Sequence, residues 1–113
     1  MALLKGTLDV LVLKALSFGP LHGFEITRWI EDGSGGEFTI ESAALLQALH
    51  RLEERRLLGA EWGITENNRR ARYYSLTPAG RAHLRTETAA LRNSVAALAG
   101  LLNARTASLA AGR

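Results

Sequence analysis

The chain has 113 residues, 47% of them hydrophobic and 22% charged, with no cysteine and a formal net charge of +3. That length suits one domain with a modest core, and the apolar content excludes global disorder. The lack of thiols excludes disulfides, thiolate metal centres and cysteine nucleophiles, and it fits a reducing cytoplasm, the expected location.

The first apolar run, LDVLVLKAL, carries Asp9 and Lys14 and is far too short to cross a bilayer. No cleavage site follows it, so neither a signal peptide nor a membrane anchor is expected. GTLDVLVLKALSFGP predicts a first helix with Thr7 as its N-cap and Asp9 in the first turn, where a carboxylate suits the helix dipole. Leu8, Leu11, Val12, Ala15 and Leu16 recur at helical spacing, and Phe18-Gly19-Pro20 ends the run. His22 stands where a second helix begins, in a capping or turn role. That helix runs from about Gly23 to Glu31, with Phe24, Ile26, Trp29 and Ile30 as its apolar residues and Trp29 expected in the core. DGSGGE is a loop. A third helix starts near Ser42, whose residue type suits an N-cap, and buries Leu45, Leu49 and Leu52.

Beyond ERRLLG the period changes. LLGAEWGIT and RARYYSLT are short runs rich in Trp, Tyr and Ile around a polar ENN, which predicts a two-stranded hairpin. Asn67 or Asn68 supplies the positive φ of its tip. Trp62 is expected to pack under the hairpin, and Tyr73 and Tyr74 on its two faces. TPAG starts a last helix, with Thr77 capping and Pro78 in the first turn, which continues to about Ala107. The order describes a mainly helical fold with a small β-hairpin, in which residues 1–76 form a winged helix-turn-helix domain and residues 77–113 a C-terminal dimerisation helix.

In that architecture the third helix enters the DNA major groove and the wing reaches phosphates. The wing carries Arg69, Arg70 and Arg72 with no acid among them, and guanidinium forks suit phosphate oxygens. Charge that merely protects an edge strand would need neither three arginines nor the absence of an acid. The distribution of charge agrees: residues 1–64 carry six basic against nine acidic side chains, residues 65–113 eight against two. A solvated helix face is the other account of that asymmetry, and charge alone does not separate them.

The last helix predicts a homodimer. Thr88, Val95, Leu102 and Leu109 fall at the a positions of a heptad, and Leu84, Leu91, Leu98 and Arg105 at d. At 1.5 Å per residue the predicted helix spans about 45 Å, more than its own domain can cover. Leu84, Leu91, Val95, Leu98 and Leu102 are therefore the candidate dimer seam, and two-fold symmetry sets two third helices over a near-palindromic site.

Other chemistry finds no support. His22, His50 and His83 lack metal-ligand spacing, GSGG is no phosphate loop, and no nucleophile, base and orienting group come together, so neither a metal, a cofactor nor an enzyme is expected.

GTLDVLVLKALSFGPLHGFEI, ALHRLEERRLLGAEWG and RRARYYSLTPAGR, in this order, resemble the PadR family of bacterial transcriptional regulators over about residues 4–86. The resemblance implies a dimeric DNA-binding repressor, with a C-terminal dimerisation helix and often a small aromatic or lipophilic effector at or near the dimer interface. The last helix holds no aromatic residue, so a flat effector would take its platform from elsewhere; Trp29 and Trp62 are rings of that kind. Where the family has Ser-Leu-Tyr-Pro, this chain has Ala44-Leu45-Leu46-Gln47. Leu46 replaces a tyrosine that contacts DNA in the family and can form no hydrogen bond, whereas Gln47 can bond an adenine edge with both amide atoms.

Candidate DNA contacts are thus Ser42, Gln47, His50 and Arg51 on the third helix and Arg69, Arg70 and Arg72 on the wing. Capping is the structural alternative for Ser42, a bond to the domain's own backbone for His50, and an ion pair with Glu54 for Arg51. Two functions remain: a specific DNA-binding regulator, or a winged-helix protein-interaction module that has lost DNA readout.

Overall fold

Helix α1 (Thr7–Leu16) is the central pillar, with Val12, Leu13, Ala15 and Leu16 all buried. The computed structural model describes residues 6–105. Along the chain follow β1 (Leu21–His22), α2 (Gly23–Gly33), α3 (Ser42–Glu54), β2 (Leu58–Ile64), β3 (Arg70–Leu76) and α4 (Pro78–Leu102). Each of α2, α3, α4 and β3 packs on α1. Fully burying an aliphatic side chain contributes roughly 1.5–3 kcal/mol, so the α1 stripe with Ile26, Ile30, Leu49 and Leu52 dominates the stability of the domain.

The expected caps are corrected at two helices. Gly6, at φ 87°, is the N-cap of α1, so Thr7 is already inside the helix. Extended Glu41 precedes α3 and its carbonyl accepts the Leu45 N–H at 3.0 Å, which makes Ser42 the first helical residue and not the cap. The role expected of His22 is as read: its Nδ1 accepts the Glu25 N–H at 3.4 Å while the Glu25 carboxylate accepts the His22 N–H at 3.1 Å.

The expected two-stranded hairpin is part of a three-stranded antiparallel sheet of order β1-β3-β2. Strand β1 is only two residues long, with Leu21 opposite Tyr74 and His22 opposite Tyr73. Such a pairing leaves no periodic trace in sequence. Tyr74 is buried on the core face and Tyr73 lies on the other, where its ring meets the edge of His22 at 5.2 Å.

Both tryptophans are outside the core, contrary to expectation. Ile26 and Ile30 form the inward stripe of α2, and Trp29 is rotated about 100° from Ile30, so it sits 37% exposed against Phe18 at 5.9 Å. Trp62 does not pack under the wing: it lies beyond the level at which the hairpin covers the core and is 61% exposed.

The end of α3 and the start of α4 meet at Leu57. Arg56 adopts φ 61°, and the Leu57 and Arg56 N–H groups bond the carbonyls of Leu52 and Glu53 at 3.0 and 2.9 Å. This is a Schellman closure with arginine at the left-handed position. The Leu57 carbonyl then accepts the Thr77 N–H at 3.1 Å, the Thr77 hydroxyl donates to the Arg56 carbonyl at 2.8 Å, and Thr77 caps α4 by accepting the Gly80 N–H at 3.0 Å. Leu84 packs on the core, but the side chains from Arg92 to Asn103 are exposed. Helix α4 ends at Leu102, short of the expected Ala107, with Asn103 as its C-cap. Arg105 follows outside the helix, and Leu109 lies outside the described residues.

A Cβ on Gly80 would stand 2.1 Å from the Leu57 carbonyl oxygen. Gly80→Ala is therefore expected to destabilise the fold by about 3 kcal/mol, as forced overpacking does, and urea unfolding followed by circular dichroism measures it.

Candidate nucleic-acid interface

Helix α3 buries Leu45, Ala48, Leu49 and Leu52, which leaves Ser42, Ala43, Leu46, Gln47, His50 and Arg51 on its solvent side. Helical periodicity fixes this division, because residues three and four apart share a face. Leu46 is 50% exposed and is not part of the buried core, so the core does not require its apolar character. The Gln47 and His50 side chains make no hydrogen bond among the described residues, which leaves the amide and the imidazole free to meet a partner.

Arg51 is different. Its Nη2 donates to the Asp9 carboxylate at 2.7 Å, tying α3 to the first turn of α1, and it makes no ion pair with Glu54. The hydrogen bond to Asp9 raises the Arg51 pKa above its ordinary value, so the side chain stays a cation. Both side chains are partly exposed, so the pair stabilises the fold by no more than about 1 kcal/mol.

On the wing, the register places Trp62 opposite Arg72 and Ile64 opposite Arg70. Paired residues share a face, and here it is the face that carries Tyr74, Leu58 and Leu76 at its base. Arg72 Nη2 donates to the Glu53 carboxylate at 2.7 Å, joining the wing to the last turn of α3. Arg70 lies over the Trp62 indole, 4.6 Å from the ring centroid. Arg69 stands at the tip, exposed, and neither it nor Arg70 has an acidic partner among the described residues. The tip closes through Asn68 N–H to the Thr65 carbonyl at 2.9 Å and Thr65 N–H to the Arg69 carbonyl at 2.8 Å. Of the two asparagines proposed for the positive φ, Asn68 takes it, at 62°.

The expected contact residues thus form three groups. Ser42, Gln47 and His50 share an exposed, nearly uncharged face. Arg51 and Arg72 are held by acids. Arg69 and Arg70 are cations without a counter-ion. Sequence reasoning missed Asp9 and Glu53 as partners, since they lie 42 and 19 residues from the arginines they hold. It also missed Trp62 as a surface residue, although counting pairs outward from the tip would have set it on the arginine face.

Among the described residues no cluster of acids and histidines could hold a metal ion, and no helix is long and apolar enough to cross a membrane. His22, which caps α2, sits near Glu25 of that helix, and His83 near Glu87 of its own.

Comparison with known proteins gives a consistent match. The model of the transcriptional regulator PadR-like family matches residues 12–86. A PadR family transcriptional regulator from Eggerthella lenta is 29% identical and superposes with a TM-score of 0.73, covering 89% of this chain and 86% of that one. PadR of Bacillus subtilis, solved in complex with operator DNA, is 21% identical with a TM-score of 0.65 over 73% of this chain and 46% of that one, a likeness of fold. An uncharacterized 37.1 kDa transposon protein of Streptomyces fradiae is 41% identical over 92 residues, 81% of this chain, which spans 24% of that protein's length.

Because Asn tolerates the left-handed region better than other side-chain-bearing residues, Asn68→Ala is expected to cost about 1 kcal/mol, measured by urea unfolding, while Asn68→Gly leaves stability equal or higher.

Proposed function

The chain belongs to the PadR-like family of transcriptional regulators, and from that membership we propose that it is a dimeric, sequence-specific DNA-binding repressor. The observation that carries the proposal is the exposed Ser42, Gln47 and His50 face of α3 beside a wing that presents Arg69 and Arg70 without counter-ions. Helix α3 lies in the major groove, where the Gln47 amide suits an adenine edge and Leu46 a thymine methyl. Arg69 and Arg70 bind phosphates flanking the groove and contribute affinity with little sequence preference. Arg51 and Arg72, held by Asp9 and Glu53, set the angles between α1, α3 and the wing, and reach DNA only by sharing their remaining N–H groups.

The dimer seam is the outer part of α4. Val95, Leu98, Leu101 and Leu102 are all about half exposed or more, with Leu102 at 84%. A second copy of the helix is the simplest cover for such a stripe. Leu91 is half-buried, and Leu84 already packs on its own core, so the seam begins beyond it. Release by a small lipophilic or aromatic effector and a cytoplasmic location complete the proposal. They rest on the family.

Fluorescence anisotropy of labelled DNA from upstream of the protein's own gene, against an unrelated duplex, tests the reading. Four phosphates held by two protomers predict a loss of about a hundredfold in affinity between about 50 and 200 mM salt. Arg69→Ala with Arg70→Ala should weaken both duplexes alike and flatten that dependence, whereas Gln47→Ala should change which sequence is preferred. Equal, weak binding to both duplexes would instead favour a protein-interaction module, the reading to which exposed Leu46 points. Sedimentation velocity tests the seam: Leu98→Asp should convert a dimer to a monomer with an unchanged circular dichroism spectrum.

A further inference from the structure

The three wing arginines are held in three different ways. Arg72 gives an N–H to Glu53 at 2.7 Å, Arg69 is unrestrained at the tip, and Arg70 rests on Trp62 with its guanidinium 4.6 Å from the ring centroid. The hold on Trp62 leaves the hydrogen-bonding groups of Arg70 unused. A ring attracts the cation through its quadrupole and accepts none of the in-plane N–H donors a phosphate needs. Among the described residues no oxygen accepts from the Arg70 guanidinium. Trp62 is itself 61% exposed, and its neighbour Ile64 is 60% exposed, so the core does not require an indole there.

We propose that Trp62 is a positioning residue for DNA binding: its indole orders the Arg70 side chain before the encounter and aims the guanidinium at a phosphate. The proposal rests on the DNA-binding reading above and adds a residue and a role to it. An arginine side chain has many rotamers, and gripping a phosphate gives up part of that freedom. A ring that holds it in place removes part of that loss beforehand. Of the wing cations, Arg70 is then the one that is both preorganised and without a counter-ion.

Anisotropy titrations of the full chain with Trp62→Ala, Trp62→Phe, Arg70→Ala and the Trp62→Ala/Arg70→Ala double variant test this, each over a salt series. Arg70→Ala should lower the salt slope by about one for each arginine lost. Trp62→Ala should weaken binding by about three- to fivefold for each wing on the DNA, the scale of one exposed cation–π contact, with the slope unchanged because no phosphate contact is removed. Trp62→Phe should recover most of the loss. In the Arg70→Ala background Trp62→Ala should cost nothing further. An equal cost in both backgrounds overturns the proposal. So does a Trp62→Ala variant that melts lower but binds DNA as the parent does, since the ring would then serve only the hairpin. A parent chain that binds neither duplex removes the DNA-binding reading itself, a failure distinct from either of these.

Discussion

The backbone carbonyl of Leu57 is where the functional parts of the molecule join. On one side Arg56 and Leu57 close α3, and on the other Thr77 brings the end of the wing and the start of α4 to the same place. Gly80 lies so near that carbonyl that no side chain fits between them. The orientation of α3, the base of the hairpin and the departure of the long helix are thereby fixed within a few residues. Local signals favour the α4 side of this point, with a Thr cap and a Pro in the first turn, whereas Arg56 takes a left-handed conformation that costs a side-chain-bearing residue energy and is held by the surrounding hydrogen bonds.

From that junction the domain organises its charge. Asp9 and Glu53 each take one arginine of the prospective DNA face into an ion pair that spans two elements. Such pairs add little stability at the surface, and their value is geometric, because they set α1 against α3 and α3 against the wing. Of the wing arginines, those without an acidic partner among the described residues are Arg69 and Arg70, at and near the tip. In the proposed DNA-binding reading, affinity from phosphates and discrimination from bases fall to different elements, the wing and α3.

The long helix divides in the same way. Its first turns belong to the domain, with Leu84 on the core, while the turns from Arg92 onward carry an apolar stripe that the described chain does not cover. The longest dimension of 61 Å against 29 and 21 Å reflects that arm. An apolar stripe on an extended helix is stable in water only when something lies against it, and the heptad spacing suits a helix of the same kind.

The sequence by itself determined the helices, the hairpin and the start of α4, because hydrophobic period and cap chemistry are local properties. It also determined which residues of α3 face outward, since one helical period assigns every position once Leu45, Leu49 and Leu52 are inside. The tertiary structure decided what depends on distant partners. Strand β1 exists only because β3 lies beside Leu21 and His22. Trp29 is outside because Ile26 and Ile30 already fill the surface that α2 presents to α1, and Trp62 because the hairpin outruns the core beneath it. Above all, three wing arginines that read alike in sequence became one held by an acid, one laid on a ring and one free. A side chain's charge is written in its own residue, but its counter-ion is supplied by the fold.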